Sequence, residues 1–505
     1  MPTSKVDCLG LGAHNPIIYA DVPDMAMIRV GDTYYMSSTT MHMSPGVPIM
    51  KSKDLVNWEI VSYAYDRLEE SDAMNLSNGK SRYGKGSWAS SIRYNKGTFY
   101  VSTFCGPCDK TYVYSTQDIE RGPWKEASFS PSFHDHSLFF DDDGRVYMIL
   151  GGGSLRLVEL LPDASGEMPG GFNQVVIPNA NAPAGDNIAL NAEGSQLIKV
   201  DGKYYLFNIV WPRGGMRTVL VHRADKLSGP WEGRIVLQDK GVAQGSIIDT
   251  PEGKWYAYLF RDNGAVGRIP YLVPVEWRDG WPVLGVKGEV PMNLPDLPGN
   301  KSLIPGIVNS DEFSRLSGEA ALPLVWQWNH NPDNSLWSIS ARSGWLRLTT
   351  GRIDADVLTA RNTLTQRTFG PQCSGYTYLD VSGMKDGDCA GLILLQSDYG
   401  YVGVKKEGAR SYIVMQSVDD GHIAERARVP LRQSGVYLKA ECDFRQLADR
   451  ARFYYSLDGD SWTAIGETLH MKYKLTHFMG YRFGLFNHAT RSFGGHADFD
   501  FFRIE

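Results

Sequence analysis

Short runs of alternating apolar and polar residues, broken by glycine turns, make up most of this chain, and no stretch carries the 3.6-residue periodicity of a long helix. One unit recurs: a glycine turn followed by an aromatic-rich strand. It reads Gly31-Asp32-Thr33-Tyr34-Tyr35-Met36, Gly97-Thr98-Phe99-Tyr100-Val101, Gly144-Arg145-Val146-Tyr147-Met148, Gly202-Lys203-Tyr204-Tyr205-Leu206 and Gly253-Lys254-Trp255-Tyr256-Ala257. A repeat of about 50 residues made of short strands suits one four-stranded blade of a propeller, so five copies predict five blades. Radial blades taper toward a central channel, which small residues and paired aromatics can fill. A meandering sandwich with coincidental Gly-aromatic turns is the competing reading.

The repeat stops near residue 280, and the segment from Trp281 to Asn300 is rich in Pro, Gly and Asn, which is linker chemistry. Beyond about residue 310 the alternating strands lengthen, as in Gly344-Trp345-Leu346-Arg347-Leu348-Thr349-Thr350 and Ala451-Arg452-Phe453-Tyr454-Tyr455-Ser456. Alternation without helices over nearly 200 residues predicts a β-sandwich, jelly-roll-like in class. The chain is therefore expected to be all-β, with a five-bladed propeller over 1–300 and a sandwich over 301–505. Ser456-Leu457-Asp458-Gly459-Asp460-Ser461-Trp462 looks like a sialidase Asp-box, but it occurs once and is read as a hairpin turn.

Composition narrows the function classes. The 505 residues carry 51 basic and 57 acidic side chains, a formal charge of −6 with no long like-charge run, which argues against nucleic acid or an anionic membrane as the main partner. No apolar stretch is long enough to span a bilayer, and Met1 to Cys8 lacks the apolar core of a signal peptide. A soluble protein is expected, cytoplasmic or exported with its leader removed. The six cysteines do not form a disulfide scaffold. Cys105-Gly106-Pro107-Cys108 has CxxC spacing but no second ligand pair for zinc and no helix after it, so both are read as ordinary thiols at a strand end.

Three carboxylates sit where apolar strands begin: Asp24 in Pro23-Asp24-Met25-Ala26, Asp135 in His134-Asp135-His136-Ser137, and Glu193 in Ala192-Glu193-Gly194-Ser195. Inner strands of a propeller converge on its axis, so equivalent positions on different blades can meet there. Convergent carboxylates beside aromatic platforms suit glycosidic cleavage, where one acid protonates the leaving oxygen and another, ionised, acts on water or sugar. Each Asp or Glu taken alone is more often a turn former.

The stretch from Asn15-Pro16-Ile17-Ile18 through Pro23-Asp24-Met25 to Gly31-Asp32-Thr33-Tyr34-Tyr35 resembles the opening of glycoside hydrolase family 43. Trp88-Ala89-Ser90-Ser91-Ile92-Arg93-Tyr94, the Asp135 segment and Glu193-Gly194 are similar to that family's next three signatures, in order. The region starting Ser310-Asp311-Glu312-Phe313 is similar to the C-terminal domain of its β-xylosidase branch. The resemblance implies an inverting exo-glycosidase that releases xylose and arabinose from oligosaccharide ends. By it Asp24 is the general base, with Asp21 the rival, Glu193 the general acid, and Asp135 the group that orients the acid and raises its pKa. Inversion needs room for a water, so base and acid should lie about 6.5–9.5 Å apart. Arg268 resembles the arginine that holds sugar hydroxyls, Trp88 and Trp211 are candidates for sugar stacking, and His42 for a loop contact. The loop His488–His496 is the expected contact from the sandwich to the site.

This chain departs from the family pattern at three positions. Met25 and His136 stand where many members have proline, which changes loop stiffness. Gln244 stands where many place a histidine on the propeller axis beside a calcium ion or water cluster; its amide oxygen suits calcium, directly or through water. The competing functions are a dedicated arabinofuranosidase or arabinanase, and a non-catalytic carbohydrate-binding propeller. The Asn-Asp-Pro-Asn-Gly-like opening of retaining fructan hydrolases is absent.

Overall fold

A computed structural model describes residues 12–301, 303–315 and 321–505; the leader reading at Met1 to Cys8 lies outside the described residues. Five four-stranded antiparallel sheets follow one another along the chain. Blade I holds Ala26–Val30, Thr33–Ser37, Gly46–Ser52 and Glu59–Tyr65, and blade II Ser91–Asn95, Thr98–Cys105, Lys110–Thr116 and Lys125–Phe129. Blade III holds Ser137–Phe140, Val146–Gly152, Ser154–Leu160 and Asn173–Ile177. Blade IV holds Ile188–Val200, Lys203–Pro212, Thr218–Ala224 and Glu232–Leu237, and blade V Ala243–Asp249, Trp255–Asp262, Arg268–Arg278 and Trp281–Leu284. Each Gly-aromatic repeat falls at the same place: its glycine closes the turn between the first and second strands of a blade.

The first strands of successive blades contact one another around a closed ring, blade V returning to blade I. Small hydroxyls take up the tapering space as the repeat predicts. Ser91 Oγ accepts from Leu138 N on the next blade at 3.1 Å, and Ser137 Oγ accepts from Leu197 N at 2.9 Å. Arg93 bridges three blades, donating to Ser137 Oγ and to the Leu197 carbonyl, both at 2.9 Å. An ion pair between Arg29 and Asp249 fastens blade I to blade V.

Two boundaries differ from the sequence reading. Trp281–Leu284 is the outer strand of blade V, not linker, because Trp281 pairs with Arg278 across a tight turn. Asn293–Leu294 returns to pair with Ala13–His14, so part of the Pro/Gly-rich segment ties the two ends of the propeller together. Cys105 and Cys108 form a disulfide, a correction to the free-thiol reading. Gly106-Pro107 turns the chain between two blade II strands and brings the two Cα atoms to 5.2 Å, within disulfide reach.

The remaining strands form two eight-stranded sheets. One begins at His422–Leu431 and runs through Asp388–Leu395, Arg482–Ala489 and Gln327–Asn329 to Met43–Ser44, which comes from the blade I connection. The sandwich thus borrows its last strand from the propeller, with Ser44 opposite Trp328 and Met43 opposite Asn329. Alternating burial along Gln372–Asp380 and Gly435–Asp443 places one face of the second sheet in the core. Ser456–Ser461 is the turn expected, with Asp458 accepting from Asp460 N and Ser461 N.

Candidate active site

Asp24 is buried immediately before the inner strand of blade I. Arg268 Nη1 donates to both of its carboxylate oxygens, at 3.0 and 3.1 Å, and Gln244 Nε2 donates to Oδ1 at 2.9 Å. Burial pushes the Asp24 carboxyl up, and the pull of the guanidinium offsets this only in part. Asp21, the rival base, has both oxygens committed to backbone amides: Oδ1 accepts from Arg268 N at 2.7 Å and Oδ2 from Gly480 N at 3.0 Å. Its carboxylate also fills the space a side chain at Gly267 would need, where φ is +104°. Asp21 therefore joins the propeller to the sandwich, and Asp24 alone of the two meets the Arg268 guanidinium.

The opposite wall comes from blades III and IV. Asp135 is buried ahead of the blade III inner strand and accepts from Gly194 N at 2.9 Å. Burial and the neighbouring Glu193 and Asp24 charges push its carboxyl up to about 7, against the pull of His134. Glu193 lies within the inner strand of blade IV rather than ahead of it. Register shifts on both sides of it mark a bulged strand, the device that re-aims a side chain out of a ladder. Gly194 sits at φ +66°, and a Cβ there would meet the Gln244 side chain at 2.8 Å, so only glycine lets Gln244 pass between the two walls.

His134 is the group that the sequence reading missed. Its Nε2 lies 2.9 Å from Glu193 Oε2 and 3.9 Å from Asp135 Oδ2, and its side chain is 52% exposed. The pull of the carboxylates raises the imidazole to about 9. The signal was its place in the Asp135 motif, which alone names no partner. Asp24, Asp135 and Gln244 also share positive φ values, +52°, +47° and +59°, in a region costly for non-glycine residues and frequent at functional sites.

The sandwich reaches the site through a different segment from the one expected. Loop 488–496 packs within the sandwich, Gly494 N and Gly495 N bonding Thr350 Oγ1, and Thr490 N the Gly387 carbonyl. Instead Phe478, at φ +58°, sets its ring 4.8 Å from Trp88 and 5.0 Å from the Arg268 guanidinium. Arg268 Nε and Nη2 and the Tyr473 hydroxyl are buried without a partner among the described residues, donors left free to meet a ligand.

His42 does not line the site. It is fully buried among Tyr83, His330 and His477, where rings from both domains pack edge-on or tilted with centroids 4.6–5.2 Å apart, and burial holds its imidazole well below the usual range. It supports the Phe478 segment from behind. Trp88 is half-buried against Phe478, whereas Trp211 is 38% exposed, at the end of the strand that pairs with Glu193's strand, with Arg217 over its ring. A separate cavity of about 740 Å³, lined by Trp255 from the second strand of blade V and Glu276 and Trp277 from the third, holds none of these groups.

Two carboxylate-bearing walls at one end of a five-bladed propeller, with unspent donors between them, define the class: a glycoside hydrolase. Residues 13–282 match the family model described as glycosyl hydrolases family 43, and residues 310–505 that of the β-xylosidase C-terminal concanavalin A-like domain. The chain belongs to glycosyl hydrolase family 43. It is 32% identical to a putative β-xylosidase of Xylanibacter ruminicola, over 92% of this chain and 86% of that one. It is 26% identical to a non-reducing-end α-L-arabinofuranosidase of Bacteroides ovatus, over 80% and 78%. A solved structure titled bifunctional GH43-CE, from Bacteroides eggerthii, superposes with a TM-score of 0.97 at 64% identity; it covers 98% of this chain, which spans 64% of that one. No described helix is long and apolar enough to cross a membrane.

Proposed function

We propose that this enzyme removes terminal xylose and arabinose from xylo-oligosaccharides and arabinoxylan fragments with inversion of configuration. Asp24 is the base, Glu193 the acid, and Asp135, which accepts from Gly194 N, the residue that orients Glu193. The observation that carries this reading is the unequal treatment of the carboxylates: Asp24 held by Arg268 and Gln244, Glu193 held beside a proton-bearing ring. In the reaction a water attacks the anomeric carbon as Asp24 takes its proton. The glycosidic C–O bond breaks with its electron pair to the leaving oxygen, which receives the proton of Glu193. The free Arg268 and Tyr473 donors hold sugar hydroxyls, and Phe478 walls one side, which favours attack at a chain end. The similarity to relatives named for xylose and for arabinose supports action on both sugars.

A calcium ion on the axis would find a single side-chain oxygen at Gln244, Oε1, because Nε2 is given to Asp24; a ligand shell made mostly of water fits that geometry. Bound there, the ion would add positive charge beside the carboxylates. The Cys105–Cys108 disulfide favours an oxidising compartment over the cytoplasm.

Glu193→Gln tests the assignment of the acid. Xylobiose hydrolysis should fall by about 10²–10⁴-fold and nitrophenyl β-xyloside hydrolysis far less, since nitrophenolate leaves with little protonation. Unchanged xylobiose turnover would remove Glu193 from the role. Proton NMR of the first-formed anomer tests inversion, and activity on nitrophenyl α-L-arabinofuranoside tests dual specificity.

A further inference from the structure

His134 is unexplained by the chemistry above, and its placement is specific. Its Nε2 is the one hydrogen-bond partner the described residues give the Glu193 carboxylate, at 2.9 Å. The ring edge rests on Phe104, centroids 5.4 Å apart, on the strand that ends at the Cys105–Cys108 disulfide. Half of the side chain faces solvent. The groups facing it are few: Glu193 from blade IV, Asp135 from its own turn, and Phe104 from blade II. Neighbouring His136 is buried and neutral, with its ring nitrogens engaged by the Phe133 carbonyl and Ser102 Oγ. Asp24 acts on Asp135 from across the site and is itself balanced by Arg268. No lysine or arginine is paired with Glu193 or Asp135 among the described residues.

The geometry points to His134 as the positioning residue that stores the acid's proton: ring Nε2 and the Glu193 carboxyl share one proton, which Glu193 spends on the leaving oxygen and the exposed ring recovers from solvent. This rests on the reading of Glu193 as the acid. The shared proton has two places. With the proton on the ring, the carboxylate is ionised and idle; with it on Glu193, the ring is neutral and the acid is ready. Both forms carry the same net charge, so pH does not change their ratio, and the pair loses activity only when the proton leaves altogether. That loss follows the imidazole, raised to about 9, rather than an isolated carboxyl. After bond cleavage the pair is one proton short. The half-exposed ring takes one from water, while Asp24 returns to solvent the proton it took from the nucleophile, so the cycle balances.

Replacing His134 with Asn leaves Glu193 to hold the proton alone. The alkaline limb of kcat/KM for xylobiose should then move toward acid by about one pH unit or more, because it follows a carboxylic acid alone and no longer the proton shared with the imidazole. The alkaline limb for nitrophenyl β-xyloside, which needs little protonation, should stay in place. An unchanged xylobiose limb in a folded His134→Asn or His134→Gln protein overturns the inference. NMR titration of the His134 ring reads the same coupling without turnover. Its pKa should drop by about one unit or more in Glu193→Gln, and an unmoved ring pKa overturns the shared proton. If Glu193→Gln still hydrolyses xylobiose normally, the acid assignment itself fails. If that variant is inactive while both His134 readouts are unmoved, only the role of His134 falls.

Discussion

The two walls of the site hold their carboxylates in opposite ways. On the side of the proposed base, Asp24 is buried and meets three hydrogen bonds from Arg268 and Gln244, with Phe478 capping the guanidinium. On the side of the proposed acid, Glu193 is 23% exposed at its side chain and meets one ring, itself open to solvent. The difference suits the tasks proposed for the two carboxylates. A base that must be ionised before every turnover gains from fixed cationic and amide donors, which favour the charged form. An acid that must be reloaded every turnover gains from a route to water and from a partner able to carry a proton.

The sharpest way to break this contrast is to neutralise the base. Asp24→Asn should lower kcat/KM by about 10²–10⁴-fold on xylobiose and on aryl xyloside alike, because deprotonating water is needed whatever leaves. Glu193→Gln differs by discriminating between the two leaving groups. Equal losses in both variants on both substrates would erase the assigned asymmetry.

Next in size is the ion pair that holds Asp24. Arg268→Met leaves a buried carboxylate with only Gln244, and removing one partner of a buried pair costs about 3–5 kcal/mol. Chemical denaturation should show a loss of that order and thermal unfolding a lower Tm. A stability change below about 1 kcal/mol would mean that water replaces the guanidinium and that the base side is wetter than its burial implies.

The acid side is predicted to show itself in the pH dependence of stability. Asp135 holds its proton up to about 7 when folded but only to about 3.9 when unfolded. Its folded-state pKa is raised, so between those values the native state binds the extra proton, and stability from this group falls as pH rises from about 4 to 7. His134, raised to about 9, adds stability that is full below about 6.5 and lost through 9. Asp135→Asn mimics the protonated form, so its stability relative to the parent protein should rise between pH 4 and 7 and then level off. A difference independent of pH would place the Asp135 carboxyl in the ordinary range.

The contrast between the walls also explains what could be seen in the sequence. Blade architecture was legible because each Gly-aromatic turn repeats one local instruction five times, and the three carboxylates because each opens or interrupts an inner strand. The Gln244–Asp24 contact, the His134–Glu193 contact and the approach of Phe478 to Trp88 join residues 59 to 390 positions apart, and no local pattern encodes those distances. The place of His42 is hidden for the same reason: its own stretch, Thr39 to Ser44, carries no other ring, and His330 and His477 come to it from the other domain. Trp281–Leu284 was read as linker because Pro282 and Gly285 mask a strand that its neighbour Arg268–Arg278 holds in place.

The smallest expected effect concerns Phe478, which sharpens the comparison because its ring touches the base side through Arg268 and Trp88. Its left-handed backbone is held by the segment behind it, where His477 packs edge-on against His42 and tilted against Tyr83, so truncating the ring leaves the loop in place. Phe478→Ala removes a cation–π contact worth about 1–2 kcal/mol when desolvated and opens one wall to water. KM for xylobiose should rise by about 5–30-fold with kcat changed far less, because the loss falls on the guanidinium that orients sugar and not on the proton transfers. Phe478→Tyr, which keeps the ring, should restore KM. An equal fall in kcat would instead mean that the wall excludes water from Asp24 itself, and the base side would then depend on the sandwich for its chemistry as well as for its grip on the substrate.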